Sequence, residues 1–235
     1  MISNKPIQII MRDMLFVTWA IEPERARQVI GERLELDTRT DSTGREFAFA
    51  SAVCFSVAEV RSTVMPIGSL SFEQVNYRVY VKNNEVPAVC FLDMKVNSRM
   101  VTALTSFLGV PILYDDIDIT ATGTDCGGVH YNMASAGLRA EATTAGPREE
   151  IPAAIELTPG FITDRLTGYV LAGDRIFKVQ VDQPGLDSVS ARIVRAQAPR
   201  LEQLGLLDSE ESTRPHSALY VREAWFGADV PTLES

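Results

Sequence analysis

"FEQVNYRVYVKNNEVPAVCFLDM", residues 72 to 94, decides how this chain folds. Its first half alternates, with Val75, Tyr77, Val79 and Val81 on one face and Gln74, Asn76, Arg78 and Tyr80 on the other. A period of two is that of a strand with two distinct faces. "NNE" then turns the chain into "VPAVCFLDM", so the spacing predicts a β-hairpin. The polar face leaves two readings open. It is either the solvated outside of a sheet or the lining of an interior, where burying Glu73 or Gln74 with Asn76 and Arg78 unpaired costs several kcal/mol.

Working outward, "NSRMVTALTSFLG" (97–109) predicts a helix capped by Asn97 or Ser98, with Met100, Val101, Leu104, Phe107 and Leu108 at helical spacing. Gly109 closes it and Pro111 follows. Upstream, "MLFVTWAI" (14–21) reads as a buried strand. A short helix follows, with Pro23 in its first turn, Ala26, Val29 and Ile30 on one face and Gly31 as its stop. "EFAFASAVCFSVAEVRS" (46–62) reads as one long strand with room for a bulge, ahead of the loop "TVMPIGSLS".

Downstream, "ILYDDIDITAT", "GVHYNMASAG", "LRAEATTAG", "RLTGYVLAG" and "RIFKVQVDQ" are separated by turn residues. That rhythm predicts an antiparallel meander closing a barrel or sandwich. "SARIVRAQAPRLEQLGLL" is amphipathic and broken by Pro199, "HSALYVREAWFG" (216–227) is a final strand, and residues 143–160 read as a long loop. With no internal repeat and no low-complexity linker, residues 1–235 are expected to form a single domain.

The net charge of -9, with 46% hydrophobic residues, describes a globular chain without the basic patch that nucleic acid requires. Only Lys5, Lys82, Lys95 and Lys178 offer amines. Cys54, Cys90 and Cys126 are far apart, and isolated thiols in apolar runs fit a reducing compartment. Two histidines, His130 and His216, and no CxxC or HExxH pattern give no metal site. No run approaches the ~20 apolar residues that span a bilayer, so a cytoplasmic protein with no membrane or nucleic-acid partner is expected. Nucleophile elbows, phosphate loops and dinucleotide fingerprints are missing from the sequence. His216, beside a Pro turn, reads as a surface residue. Arg12 and Asp13, just before the first buried strand, are a candidate grip for a substrate carboxylate. Asp93, Lys95 and Arg99 form another polar group, which can equally flank and cap the helix.

Four segments in order, "MRDMLFVTWAIEPERARQVIGERLELD", "YRVYVKNNEVPAVCFLDMKVNSRM", "LGVPILYDDIDI" and "REAWFG", resemble the acetoacetate decarboxylase superfamily. They are more similar still to its uncharacterised bacterial sister family, a domain of unknown function. The resemblance implies a mainly β (α+β) fold: a closed, strongly bent antiparallel β-barrel with a few short helices, whose cavity holds a small organic acid or ketone. In the decarboxylases the turn after the helix is followed by two adjacent lysines, one forming a Schiff base and the other lowering its pKa. The matching positions here are Ile112 and Leu113. The resemblance also matches Arg12 to an arginine before the first strand, Asp93 to an aspartate of a Leu-Asp pair, and Glu73 to an acidic hairpin residue. A shift of one residue puts Gln74 in that last place and reverses the face. With the family in view, the polar face of the hairpin is expected to be internal.

The resulting expectation is an enzyme without metal or cofactor that acts on a small organic acid, ketone or lactone without Schiff-base decarboxylation. Glu73 and Arg12 would be catalytic, and Asn76, Arg78, Asp93, Lys95, Ile112 and Leu113 would bind substrate. The alternative is a carrier that holds a small ligand in the same cavity without transforming it. The sequence also leaves a homo-oligomer open.

Overall fold

The computed structural model describes residues 4–63, 70–107, 109–125, 127–145, 155–173 and 175–234. In chain order the strands are β1 (Ile7–Ile21), β2 (Glu35–Leu36), β3 (Arg39–Thr40), β4 (Glu46–Ser62), β5 (Phe72–Asn83), β6 (Val86–Val96), β7 (Ile112–Tyr114) and β8 (Asp118–Gly123). They continue with β9 (Val129–Ala134), β10 (Arg139–Thr143), β11 (Thr167–Ala172), β12 (Arg175–Asp182), β13 (Ser188–Ser190), β14 (Arg192–Gln197), β15 (Ser217–Ala228) and β16 (Thr232–Glu234). The helices are α1 (Pro23–Ile30), α2 (Arg99–Phe107), α3 (Pro159–Thr163) and α4 (Pro199–Gln203).

The large sheet runs β15-β1-β4-β5-β6-β11-β12, and β12 pairs back onto β15, so the strand pairings form a ring. Around the ring the neighbours are antiparallel except at one seam, where β11 runs parallel to β6 through Gly168↔Val89 to Val170↔Phe91, and off the ring the short β7 also pairs parallel to β6. A purely antiparallel sheet was the expectation. The parallel seam arises because the chain leaves the ring after β6 and builds other elements before returning as β11, a long crossover of the kind a parallel pairing needs.

The predicted hairpin is β5 and β6, and its turn places Asn84 and Glu85 at φ of 50° and 65°. Two successive positive φ values suit a tight turn matched to strand twist. α1 begins at Pro23 and stops at Gly31, where φ is +69°. Ser98 Oγ accepts the Val101 N–H at 3.4 Å at the start of α2, and Gly109 sits at φ +74° beyond its end. Leu108 lies outside the described residues, as do most of the loop at 63–71, Cys126 and the middle of the loop at 143–160.

Three expectations need correction. β1 starts at Ile7, so Arg12 lies inside the strand rather than ahead of it, opposite Ser56 and Glu223. "ILYDDIDITAT" is two strands, not one: β7 joins β6, whereas β8 leaves for another sheet. That second sheet, β14-β10-β9-β8, takes most of the expected meander out of the ring. The bulge foreseen in β4 occurs where β4 pairs with β1, with register shifts at Ile10/Met11 and Arg12/Leu15 and Asp13 at φ 50°.

Two hydrophobic cores result, one on each face of the ring. The outer core packs Leu15, Val17, Trp19, Val75, Tyr77 and Val79 of the large sheet against Tyr131, Met133 and Ala140 of the small one. The inner core contains Met14, Phe16, Phe55, Tyr80, Val89 and Phe161. Successive residues of β5 thus serve different cores, as the pleat requires. Only Val101 of the α2 apolar stripe is buried, while Met100 and Phe107 are exposed.

Where the small sheet approaches β5, Gly137 leaves no room for a side chain, since a Cβ there would stand 2.4 Å from Tyr77 Oη and 2.9 Å from Arg200 Cβ. Gly137→Ala is expected to destabilise the fold by about 1–3 kcal/mol through overpacking, read as a lower denaturation midpoint in urea.

Candidate functional site

Alternation in β5 aims Gln74, Asn76 and Arg78 away from the outer core, into a cavity of about 340 Å³ inside the ring. Its lining is mostly apolar: Ile7 and Ile9 of β1, Phe55 of β4, Phe72 of β5, Phe91 of β6 and Leu104 of α2 are examples. The polar groups include Gln74, Asn76 and Arg78 with Thr163, Arg165 and Gln183.

The short helix α3 organises this polar end. A helix C-terminus leaves carbonyls without intrahelical partners. Here three successive ones are taken by cavity-lining side chains: Arg165 Nε donates to Phe161 O at 2.7 Å, Arg78 Nη2 to Ile162 O at 2.8 Å, and Gln183 Nε2 to Thr163 O at 2.9 Å. Each side chain is thereby fixed while keeping further N–H groups.

The two arginines differ in their charge balance. Arg165 Nη1 donates to Asp37 Oδ2 at 2.7 Å, and burial, opposed by Asp37, lowers the Arg165 pKa from its ordinary value. Arg78 is 9% exposed, and among the described residues no carboxylate lies within 4 Å of it. Its Nε–H is buried without a partner among the described residues. The guanidinium lies 5.3 Å from the ring centroids of both Phe16 and Tyr80, which supports the cation without neutralising it. Behind it runs a buried hydroxyl chain: Tyr80 Oη, in reach of Arg78 Nη2 at 3.4 Å, is 2.7 Å from Ser51 Oγ, itself 2.7 Å from Thr18 Oγ1. A buried cation lacking a counter-charge is expensive, and a donor lacking an acceptor adds to that cost. An anion drawn to that end of the cavity offsets the charge.

The cavity brings together Gln74, Asn76, Arg78 and Ile112 of the residues singled out from sequence, and Gln74 Nε2 donates to Asn76 Oδ1 at 2.6 Å. It does not include Arg12, Glu73, Asp93, Lys95 or Leu113 among the described lining residues, which corrects their expected placement. Register gives the reason. Glu73 shares a face with Val75 and Tyr77, which lie opposite Lys95 and Asp93, and Lys95 lies opposite Leu113. All four therefore point away from Gln74, Asn76 and Arg78.

Glu73 Oε2 accepts the Ile119 N–H at 3.1 Å and ties β5 to the small sheet. Asp93 Oδ2 is 2.6 Å from Arg200 Nε and 3.4 Å from Lys95 Nζ. Leu113 is exposed. Arg12 pairs with Glu223 at 2.8 Å, both side chains being 57% exposed. His216, expected at the surface, is half-buried, with Nε2 2.8 Å from Ile155 O and Nδ1 buried without a partner among the described residues. Cys54 and Cys90 are buried, and burial pushes both thiols up to about 12.

Arg165, Thr163 and Gln183 were missed from sequence. They sit in the irregular stretch "TDRLTG" and beyond β12, where no period marks a face. A buried arginine with its own carboxylate partner also has no local signature.

A family model described as DUF2071, uncharacterized conserved protein, matches residues 9–224. No curated protein matches the chain. Among solved structures, the enduracididine biosynthesis enzyme MppR complexed with pyruvate aligns at TM-score 0.57 and 15% identity over 100% of this chain and 92% of its own. An acetoacetate decarboxylase from Legionella pneumophila aligns at TM-score 0.60 and 8% identity, covering 98% and 87%. An acetoacetate decarboxylase-like enzyme from Sphingomonas wittichii RW1 aligns at TM-score 0.58 and 11% identity, covering 99% and 94%. At these identities the likeness is one of fold.

Two outcomes follow from the electrostatics. Arg78→Met is expected to leave the protein as stable or up to ~2 kcal/mol more stable, because it removes an uncompensated buried charge. A loss above about 3 kcal/mol in chemical denaturation, typical of breaking a compensated pair, would mean a counter-charge is already in place. Burial raises the Glu73 pKa against the opposing Ile119 N–H. Wild-type stability associated with this carboxyl is therefore full below its unfolded-state pKa and declines as pH rises through the raised folded-state value. Glu73→Gln should remove that decline in melting curves taken between about pH 4 and 7.

Proposed function

The chain belongs to the DUF2071 family and has the fold of acetoacetate decarboxylase-like enzymes, and from that premise we propose a cofactor-free enzyme acting on a small organic acid, ketone or lactone in the internal cavity. The ring of strands is taken as a closed, strongly bent barrel over a single domain, in a cytoplasmic protein. The observation that carries the reading is the buried Arg78 guanidinium, facing the cavity with no carboxylate beside it among the described residues. Such a group holds a substrate carboxylate, or the negative charge developing on a carbonyl oxygen, with donors already oriented by α3. Arg165 lies at the same end, paired with Asp37, and offers further N–H donors there. The pyruvate held by MppR is a ligand of this chemical kind.

The chemistry is proposed to proceed without an amine. The ionisable groups among the described lining residues are Arg78, Arg165 and Asp229, and Asp229 is tied to Lys5 at 2.5 Å. Ile112 lines the cavity where the resemblance would place a lysine. That same inventory favours the carrier as a second reading, since no histidine, lysine or glutamate lines the described cavity to move a proton.

Borohydride trapping with pyruvate is expected to leave the wild-type protein unlabelled, and a stable adduct on Lys95 or Lys82 in the mass spectrum would overturn the amine-free reading. Ile112→Lys should acquire trapping, because an amine in an apolar cavity is held below its usual pKa and is partly neutral. Turnover of a keto acid or lactone, lost in Arg78→Gln, separates the enzyme from the carrier, which binds without converting.

A further inference from the structure

Resting on that reading, we propose that the cavity is built for an amphiphilic monocarboxylate, an acid with an apolar tail of medium length, and not for a three- or four-carbon acid.

Two observations carry this. The first is polarity: the unbalanced cation Arg78, with the Asp37-paired Arg165 beside it, is followed by walls of Ile9, Phe55, Phe72 and Leu104. A short, fully polar acid satisfies the cationic end and leaves the walls in contact with nothing they complement. Drug-sized ligands bury most of their surface against apolar walls, and a few placed polar groups fix their orientation. The second is size. At about 340 Å³ the cavity has room for on the order of eleven water-sized groups at ~30 Å³ each. A carboxylate takes two or three of these places, which leaves room for a tail of about eight carbons.

Orientation follows from the donors. The buried Nε–H of Arg78 has no partner among the described residues, and its Nη2 is committed to Ile162 O. A carboxylate oxygen accepting from the guanidinium N–H groups not committed to Ile162 O supplies the missing counter-charge. The tail then runs along β1 and β4 toward α2, where Leu104 marks the other side of the lining.

The test is calorimetric titration of the full chain with straight-chain carboxylates from butyrate to dodecanoate, alongside 1-octanol. Binding is expected to tighten by roughly fourfold per added methylene, to stop improving near eight to ten carbons, and to be much weaker for 1-octanol than for octanoate. Leu104→Trp should move the optimum to shorter acids, and Arg78→Met should weaken every acid while leaving 1-octanol unchanged. Circular dichroism of both variants reports that they are folded. Should Arg78→Met fail to fold, Arg78→Lys, which keeps charge but lacks the fork, must still weaken octanoate. Butyrate binding as tightly as octanoate would overturn the tail while leaving the acid site standing. Octanoate failing where butyrate binds would likewise overturn the tail alone, whereas no acid of the series binding, or the acids binding no better than 1-octanol, would overturn the acid site and the proposed function with it.

Discussion

A strand buried on both faces has to carry two chemistries at once, and β5 is that strand. Its odd-numbered residues close the outer core against the small sheet, and its even-numbered ones furnish the cavity. No residue can be inserted or lost within it without exchanging the two sets. The other features depend on this alternation being held: the pairing with β4 and β6, Glu73 tied to Ile119, and the close fit of Gly137 over Tyr77 all fix its register.

The polar end of the cavity shows how a small element can impose electrostatics on a large one. α3 has five residues, too few for helix propensity to stabilise alone. Yet its carbonyls hold Arg165, Arg78 and Gln183, while Arg39 and Arg165 lie 4.4 Å from the Phe161 ring. Asp37 balances Arg165 and also accepts from Arg39 at 2.8 Å. The described surroundings thus leave Arg78 with its charge unbalanced, and the interior is electropositive at one end only.

Much of this was legible in sequence, for identifiable reasons. Strict alternation from Gln74 to Val81 gave the strand, and the order of four weak motifs tied it to a fold family. That combination put Asn76 and Arg78 inside. What alternation could not supply was absolute phase at the strand's beginning, where Glu73 and Gln74 differ by one position and a whole face. Asp93, Lys95 and Leu113 were misplaced for a related reason, since the register shift between Tyr77 and Arg78 re-phases β6 against β5. Arg165 and Gln183 were beyond reach because α3 meets β5 only through tertiary packing. The meander was recognised as strands but assigned to one sheet, because turn spacing says where strands end and not which neighbours they choose.

The ring closes through its slightest seam. β12 meets β15 at Val181↔Ala228 and Asp182↔Gly227, with one more backbone bond from Asp229 N–H to Gln180 O just beyond, whereas β1 and β15 pair along most of their length. The free energy needed to separate neighbouring strands grows with the bonds and contacts between them, so this seam opens most readily. Val181 and Ala228 both line the cavity. Drawing them apart would open the cavity on that side, at the place where neighbouring strands of the ring share the fewest paired residues.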